Sequence, residues 1–171
     1  TAQNGMPAGH PPTSGEGADM TPEQKAEMER MKKEMTAKAD ELKKQLDANP
    51  GNDSLRLDLA NYYYDLNRFE EAITLYRDYL GRHPDDADVR TDMAYCMANL
   101  MDVDGAMTEL KKAISAAPRH QNAPYLMAMM YMYKQNRDSS IHWMQRVVDI
   151  DSTTQQGKNA STFIKEMAEA H

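Results

Sequence analysis

The stretch LANYYYDLNRFEEAITLYRDYLGRHPDD, residues 59–86, carries the pattern that decides the fold. Large apolar residues recur three and four positions apart, first before residue 67 and again after residue 69. That spacing places them on one face of a helix, so the stretch predicts two amphipathic helices. The polar pair Asn67 and Arg68 separates them as a short turn. Pro84 follows the second helix, and its missing N–H opposes further helical continuation.

The pattern returns with a period of 34 residues. Prolines stand at Pro50, Pro84 and Pro118, and the next step falls on Ser152. Other positions in the same register hold either small or large apolar residues: Ala60, Ala94 and Ala128; Ala72, Ala106 and Ser140; Leu59, Met93 and Met127; Tyr76, Leu110 and Met144. A fixed period indicates stacked repeats. The predicted helix pairs lie at about 53–66 with 69–82, 87–100 with 103–116, and 122–134 with 137–150.

This arrangement resembles the tetratricopeptide repeat. The segment RFEEAITLY is similar to the second helix of that family, and the family's small-residue and Pro positions are kept in the first two repeats. The position of the family's Trp holds Arg56, Arg90 and Pro124 instead, and the third repeat departs further at Ser140 and Ser152. The resemblance implies an all-α fold, an α-α superhelix of three helix pairs. Its repeats would occupy residues 51–152, at about 53–86, 87–120 and 121–152.

Both ends of the repeat region carry predicted capping helices. The segment TPEQ has the features of a helix start, with Thr21 as N-cap and Gln24 completing a capping box. A long N-terminal capping helix is therefore predicted within residues 21–50, and a C-terminal one within 153–171 that begins near residue 158. The first half of the long helix, at Met28 and Met31, fits either a frayed helix end or a contact with another chain.

Composition excludes several classes of function. A net charge of −7 opposes nucleic-acid binding, and no stretch has the roughly 18 apolar residues of a membrane span. The single Cys96 permits no disulfide within the chain and no multi-Cys zinc site. It is predicted to be a small buried residue rather than a nucleophile. We expect no enzymatic activity and no cofactor, because no catalytic or phosphate-loop motif is present.

The resemblance implies that the first helix of each pair lines a concave groove. The residues carried over to that groove are Leu57, Asn61, Tyr64, Tyr95, Asn99, Tyr125, Met129, Met132 and Tyr133. An alternative interpretation places Met129 and Met132 in the packing between repeats. Of the cationic clamp with which some family members bind carboxylate termini, only Asn61 is matched. The groove is therefore predicted to bind an amphipathic helix or a Pro-rich protein segment.

Three hypotheses for function follow. The first is an exported scaffold, periplasmic or extracellular, that binds a protein segment within a multiprotein assembly, similar to the repeat domains of cytochrome c assembly factors. The second is a subunit that self-assembles head-to-tail into a filament. Its contacts would come from the long helix and from residues 1–20, a flexible arm rich in Pro and Gly: Met6, Pro7, His10, Pro11, Pro12, Met28 and Met31. The third is a metal or redox carrier that uses Met6, His10 and Met20, although linker composition explains these residues better.

Overall fold

The structure, a computed structural model, describes residues 21–169, which form eight α-helices joined by turns and short loops. In chain order they are α1 (Pro22–Ala48), α2 (Asp53–Asp65), α3 (Phe69–Leu80), α4 (Ala87–Asn99), α5 (Val103–Ala116), α6 (Asn122–Tyr133), α7 (Arg137–Ile150) and α8 (Gln155–Glu169). The predicted all-α fold, with three helix pairs and a further helix at each end, is confirmed. By its internal contacts the chain divides into two compact units, Thr1–Arg68 and Phe69–His171.

In the first unit, α1 begins as its sequence indicates. The backbone N–H of Gln24 donates to Thr21 Oγ1 at 3.2 Å, and the backbone N–H of Thr21 donates to Gln24 Oε1 at 2.8 Å, which completes the predicted capping box. The second half of α1 packs on α2 and buries three apolar residues, Ala39, Leu42 and Leu46. Every residue from 21 to 34 is exposed, so α1 packs against the rest of the unit only through its second half.

Two buried arginines occupy the position where the resemblance leads one to expect Trp. Arg56 and Arg90 lie 34 residues apart, and each donates a guanidinium N–H to a proline carbonyl six residues earlier, that of Pro50 or Pro84. Each guanidinium also pairs with a carboxylate, which for Arg90 is Glu109 on α5. Each arginine therefore ties the loop before a helix to that helix, while its charge stays paired inside the protein.

The second unit is built on small residues at the crossing points of its helices. Consecutive helices from α3 to α8 contact one another, and α4 and α8 also contact α6. The side chains at the small positions are 0% exposed: Ala72, Ala94, Ala106, Ala128 and Ser140. Large residues from the same repeating pattern fill the space beside them, among them Tyr76, Leu110 and Met144. The period read from the sequence thus marks the buried positions, because close helix approach requires small side chains there.

The turn that follows the first helix of each pair has a left-handed residue, again at a spacing of 34. Asn67, Met101 and Gln135 have φ values of 57°, 66° and 56°. In the second and third pairs the next residue, Asp102 or Asn136, caps the following helix through its side chain. Asn tolerates the left-handed region better than most residues, whereas a long side chain such as that of Met is uncommon there.

The C-terminal helix starts earlier than predicted. α8 begins at Gln155 rather than near residue 158, because Thr154 Oγ1 accepts a hydrogen bond from the N–H of Gly157 at 3.0 Å and so caps the helix. Gly157, which the sequence placed before the helix, lies inside its first turn and is buried. A Cβ at this position would lie 2.1 Å from the carbonyl oxygen of Asp151. The close approach of α8 to the end of α7 therefore requires glycine.

Candidate segment-binding surface

The predicted groove residues of the second unit lie on two neighbouring first helices, α4 and α6, which contact each other. We call this surface the α4–α6 face; its residues are Tyr95, Asn99, Tyr125, Met129, Met132 and Tyr133. On α6, Met129 is 40% exposed and Tyr133, one turn further, is 58% exposed. Tyr95, Tyr125 and Met132 are half-buried, and Asn99 is exposed. The face thus offers large apolar side chains at helical spacing to a partner.

Two of its aromatic residues are held in place by packing. The ring of Tyr95 meets that of Phe69 on α3 edge to face, with centroids 6.4 Å apart. Tyr125 packs against the buried cluster that includes Ala128 and Met144. Phe69 was missed in the sequence reasoning, because it belongs to a second helix and carries no groove position of its own. Anchors fixed in this way lose little side-chain entropy when a partner binds.

The sequence left open whether Met129 and Met132 line the groove or pack between repeats, and their exposure bears on this choice. Met127 and Met130 on the same helix are buried and belong to the packing between repeats. Met129 is exposed and Met132 is half-buried, so Met129 faces away from that packing. Since Met is flexible and polarizable, an exposed Met beside rigid rings suits contact with a partner of irregular shape.

The predicted groove residues of the first unit share one face of α2. Leu57 and Tyr64 are half-buried, and Asn61 lies between them and is exposed. On α1, Met28 is 45% exposed and Met31 is 50% exposed. The arm residues Met6, Pro7, His10, Pro11 and Pro12 lie outside the described residues. The predicted contacts of the arm therefore stay predictions.

Polar groups of and next to the α4–α6 face, Asn99 and Lys134, are engaged in local contacts. Lys134, next to Tyr133, contacts Asp104 on α5 with 2.7 Å between Nζ and Oδ1. The hydrogen bond from Lys134 lowers the pKa of Asp104 below its ordinary value. The side-chain amide of Asn99 donates to the carbonyl of Tyr95 at 2.9 Å. The chemistry of the face is thus apolar and aromatic rather than that of a site for a free carboxylate.

A cleft of about 510 Å³ lies elsewhere in the second unit, between the loop before α4 and the end of α5. Arg90, Lys111 and Lys112 line it, but both Arg90 and Lys112 bind the carboxylate of Glu109. Burial acts to raise the pKa of Glu109, yet hydrogen bonds from Lys112 and Arg90 outweigh it and leave this pKa lowered. The positive charge of the cleft is largely neutralised by the protein, so it is a weak candidate for an anion site.

The described residues include one thiol and no cluster of metal-binding side chains. Cys96 is 0% exposed, and burial raises the pKa of its thiol, so the prediction of a buried structural Cys is confirmed. Within residues 21–169 no three His, Cys, Asp or Glu residues come together as a metal site. No helix in the same range is long and apolar enough to cross a membrane.

Comparison with known proteins decides the family. The family model of the tetratricopeptide repeat matches residues 37–94 and 67–130, which together span more than half of the chain. The chain belongs to the tetratricopeptide repeat family. Its match begins within α1 and ends within α6, so it includes both arginines that replace the expected Trp. A search of curated protein sequences found no match to this tetratricopeptide repeat chain.

Solved structures show the same fold at low sequence identity. The crystal structure of MamA is 18% identical, with a TM-score of 0.66, and the match covers 88% of this chain and 94% of that one. YrrB, described as a tetratricopeptide repeat protein with an unusual peptide-binding site, is 22% identical with a TM-score of 0.68, covering 77% and 68%. The first repeat domain of Spaghetti (RPAP3), bound to an HSP90 peptide, is 15% identical with a TM-score of 0.61, covering 69% and 91%.

Proposed function

We propose that this tetratricopeptide repeat chain is a non-enzymatic scaffold that binds a protein segment on the α4–α6 face. The observation that carries the proposal is the pair Met129 and Tyr133, which are exposed one turn apart on α6, the helix that contacts α4 with its packed ring of Tyr95. Exposed apolar side chains at helical spacing next to rigid aromatic rings are typical of surfaces that take up a partner.

The chemistry of the face indicates what kind of segment it binds. An amphipathic helix would place apolar residues at i, i+4 and i+7 against Met129, Met132 and Tyr133, whereas a Pro-rich segment would stack its rings on the tyrosines. A carboxylate terminus bound beside Tyr133 would find Lys134 already paired with Asp104. Two structural relatives support segment binding in general terms: one is bound to an HSP90 peptide, and the other is described by its peptide-binding site.

An exported setting is part of the same proposal. The composition of residues 1–20, rich in Gly, Pro and small polar residues, is that of a tether between a folded part and its surroundings. In such a setting the scaffold would hold a segment of another subunit, in the manner suggested by the resemblance to cytochrome c assembly factors. Fractionation of cells that express the native gene tests this location, and recovery of the protein with cytoplasmic markers would contradict it.

The binding face is tested with an array of synthetic Pro-rich and amphipathic-helix peptides probed with the full chain. Tyr95→Ala and Met129→Ala should each weaken the retained peptides, by about 2 kcal/mol for the tyrosine because rigid aromatic anchors dominate interface energetics. Met28→Ala is the matched control, since Met28 has nearly the same exposure as Met129 and lies on α1. If Met129→Ala and Met28→Ala retained the same peptides equally well, the binding site would not lie on α6.

A further inference from the structure

Six large hydrophobic side chains are exposed among the described residues, and they fall into two groups. Met28 and Met31 lie on the first half of α1. The other four lie in the second unit: Leu100, Met101, Met129 and Tyr133. Met129 belongs to the α4–α6 face, but Leu100 and Met101 lie outside it, on the turn between α4 and α5. That turn and α1 therefore expose apolar side chains that the α4–α6 face does not include.

Met101 is unusual in both backbone and side chain. Its φ of 66° is left-handed, a conformation that costs most residues energy and that Asn tolerates. The equivalent turn positions in the other two repeats hold Asn67 and Gln135, which are polar. The side chain of Met101 is 64% exposed, so burial in the fold does not repay the strained backbone. An outlier of this kind points to a contact made by the side chain.

A second turn lies at the same edge of this unit. Lys134, which directly follows Tyr133, reaches Asp104 at the start of α5 with 2.7 Å between the charged atoms. The end of α6 therefore lies beside the α4–α5 turn. We define the turn patch as Leu100, Met101 and Tyr133. Two carboxylates border it, because the helices that leave this edge carry an acidic residue as cap or in the first turn: Asp102 for α5 and Asp138 for α7.

The exposed half of α1 carries the other two exposed hydrophobic side chains. We define the α1 stripe as Met28 and Met31. At 100° per residue, Lys25 and Lys32 lie along one side of this stripe, and neither forms an ion pair in the structure. Glu27 and Glu34 lie along the other side of the stripe, where Arg30 pairs with Glu27 at 2.7 Å and with Glu34 at 3.7 Å. The stripe therefore presents two methionines with a cationic margin on one side and, on the other, two carboxylates that share one arginine.

We propose that the α1 stripe of one copy of this chain docks on the turn patch of a second copy. Met28 and Met31 would pack against Leu100, Met101 and Tyr133. Lys25 and Lys32 would face the acidic border at Asp102 and Asp138. Both surfaces are apolar and exposed, and the lysine side of the stripe is opposite in charge to the two carboxylates beside the turn patch, which favours this pairing over a like-with-like contact.

The contact joins two different surfaces, so each copy in an assembly can offer one surface and receive the other. Such head-to-tail contacts close into a ring or extend as a chain of subunits. The proposal does not depend on the scaffold function, because Leu100 and Met101 lie outside the α4–α6 face. Tyr133 belongs to both surfaces and is therefore left unchanged in the tests.

The first test measures the mass of the full chain by light scattering and sedimentation velocity over a range of concentrations at low salt. The wild type should form larger species as concentration rises. Met31→Ser and Met101→Asn should each weaken this association by about tenfold or more, because each removes a central apolar contact. Gln135→Asn is the matched control for Met101→Asn: it changes the same left-handed turn position in the next repeat and should leave association unchanged.

The same variants separate loss of contact from loss of fold. Met101→Asn should raise the melting temperature, because Asn suits the left-handed backbone, even as it removes assembly. Lys32→Glu should weaken assembly, whereas Lys33→Glu, the same charge change on the far side of α1, should not. A wild type that stays monomeric at high concentration, or a Met101→Asn variant that assembles like the wild type, would overturn the proposal.

A mixing experiment tests the head-to-tail geometry. Met31→Ser keeps an intact turn patch and Met101→Asn keeps an intact α1 stripe, so neither variant should assemble alone. Mixed together they can form one intact contact, which should give a complex of two chains that does not extend. Failure of the mixture to form any complex, while the wild type assembles, would show that the two surfaces do not bind each other.

Discussion

The α4–α5 and α6–α7 helix pairs share one backbone arrangement but are held by different chemistry. In the first of them, Asp86 caps α4 through its side chain, Arg90 is buried and paired, and Ala106 fills the close contact. In the second, the residue before α6 makes no side-chain cap, Pro124 stands at the arginine position and Ser140 stands at the alanine position. One repeat geometry therefore forms with different residues at all three positions.

The α6–α7 pair replaces those contacts with links to its C-terminal neighbour. The side-chain amide of Gln121 donates to the carbonyls of Val147, at 2.9 Å, and Asp151, at 2.7 Å. Thr154, which caps α8, donates its hydroxyl to Gln121 Oε1 at 2.8 Å. The loop before α6 is thus fixed by the end of α7 and the start of α8. The α4–α5 pair carries its own supports, whereas the α6–α7 pair depends on α8.

Replacement of Arg90 should have the largest effect on the free energy of unfolding. Arg90→Ala should lower the free energy of unfolding by about 3 kcal/mol, because it leaves the Glu109 carboxylate and the Pro84 carbonyl without this partner inside the protein. Urea unfolding followed by circular dichroism measures it. Lys112→Ala is the control, since it removes the exposed partner of Glu109 and should cost less than about 1 kcal/mol. Equal losses of unfolding free energy in the two variants would mean that the Arg90–Glu109 pair stabilises the protein no more than an exposed ion pair does.

A larger side chain at Ala106 should have the second-largest effect on stability. Ala106 is 0% exposed, so Ala106→Leu inserts methylenes where two helices meet and should cost about 2 kcal/mol. Thermal unfolding gives the value. Ala116→Leu provides the comparison, because Ala116 lies at the exposed end of the same helix and should tolerate the larger side chain. A melting temperature unchanged by Ala106→Leu would mean that the close contact lies elsewhere.

Ser140 stands in the α6–α7 pair at the position equivalent to Ala106, and its replacement should stabilise the protein rather than destabilise it. The hydroxyl of Ser140 is buried and has no hydrogen-bond partner in the structure. Ser140→Ala removes this unsatisfied group and makes the α6–α7 pair resemble the α4–α5 pair, so it should raise the free energy of unfolding by about 1 kcal/mol. The reverse change, Ala106→Ser, should lower it. If Ser140→Ala destabilised the protein, the hydroxyl would have a partner that the contacts do not show.

The smallest effect concerns the link between the two pairs and its dependence on pH. His120, in the loop before α6, contacts Asp88 of α4 at 2.6 Å, and this hydrogen bond lowers the pKa of Asp88 below its usual 3.8. The carboxylate therefore contributes stability above pH 3.8 that is lost as the pH falls through its lower folded value. Asp88→Asn should flatten the acid part of the stability curve relative to Asp85→Asn. If the stability curves of the two variants ran parallel below pH 3.8, the contact between His120 and Asp88 would not stabilise the protein.

Much of the fold was predictable because a 34-residue period constrains many positions at once. Ala72, Ala94 and Ala106 proved buried where the register placed them, and α1 begins with the capping box read from Thr21 and Gln24. The start of α8 was missed because Thr154 and Gly157 act through tertiary contacts, with Gln121 and the end of α7. A sequence pattern reports local periodicity, and it does not report which neighbour supplies a cap.

The candidate site was predictable in position and only partly in chemistry. The register placed Tyr95 and Tyr125 on first helices, but it could not show that Phe69 supports one ring or that Met129 is exposed while Met130 is buried. Exposure within a run such as LMAMMYMY depends on how α6 is rotated against its neighbours. The exposure of Met101 was not predicted for a related reason, because a helical pattern says nothing about the side chain of a turn residue.

The single thiol of this chain, Cys96, has a practical consequence. It lies in the last turn of α4, it is 0% exposed, and its raised pKa keeps it protonated at neutral pH. An alkylating reagent can therefore react with it only while α4 is open to solvent. The rate of labelling then measures how often the second unit opens locally at Cys96, without any introduced probe. Because Cys96 is the one cysteine in the sequence, each modified molecule reports an opening at a known place.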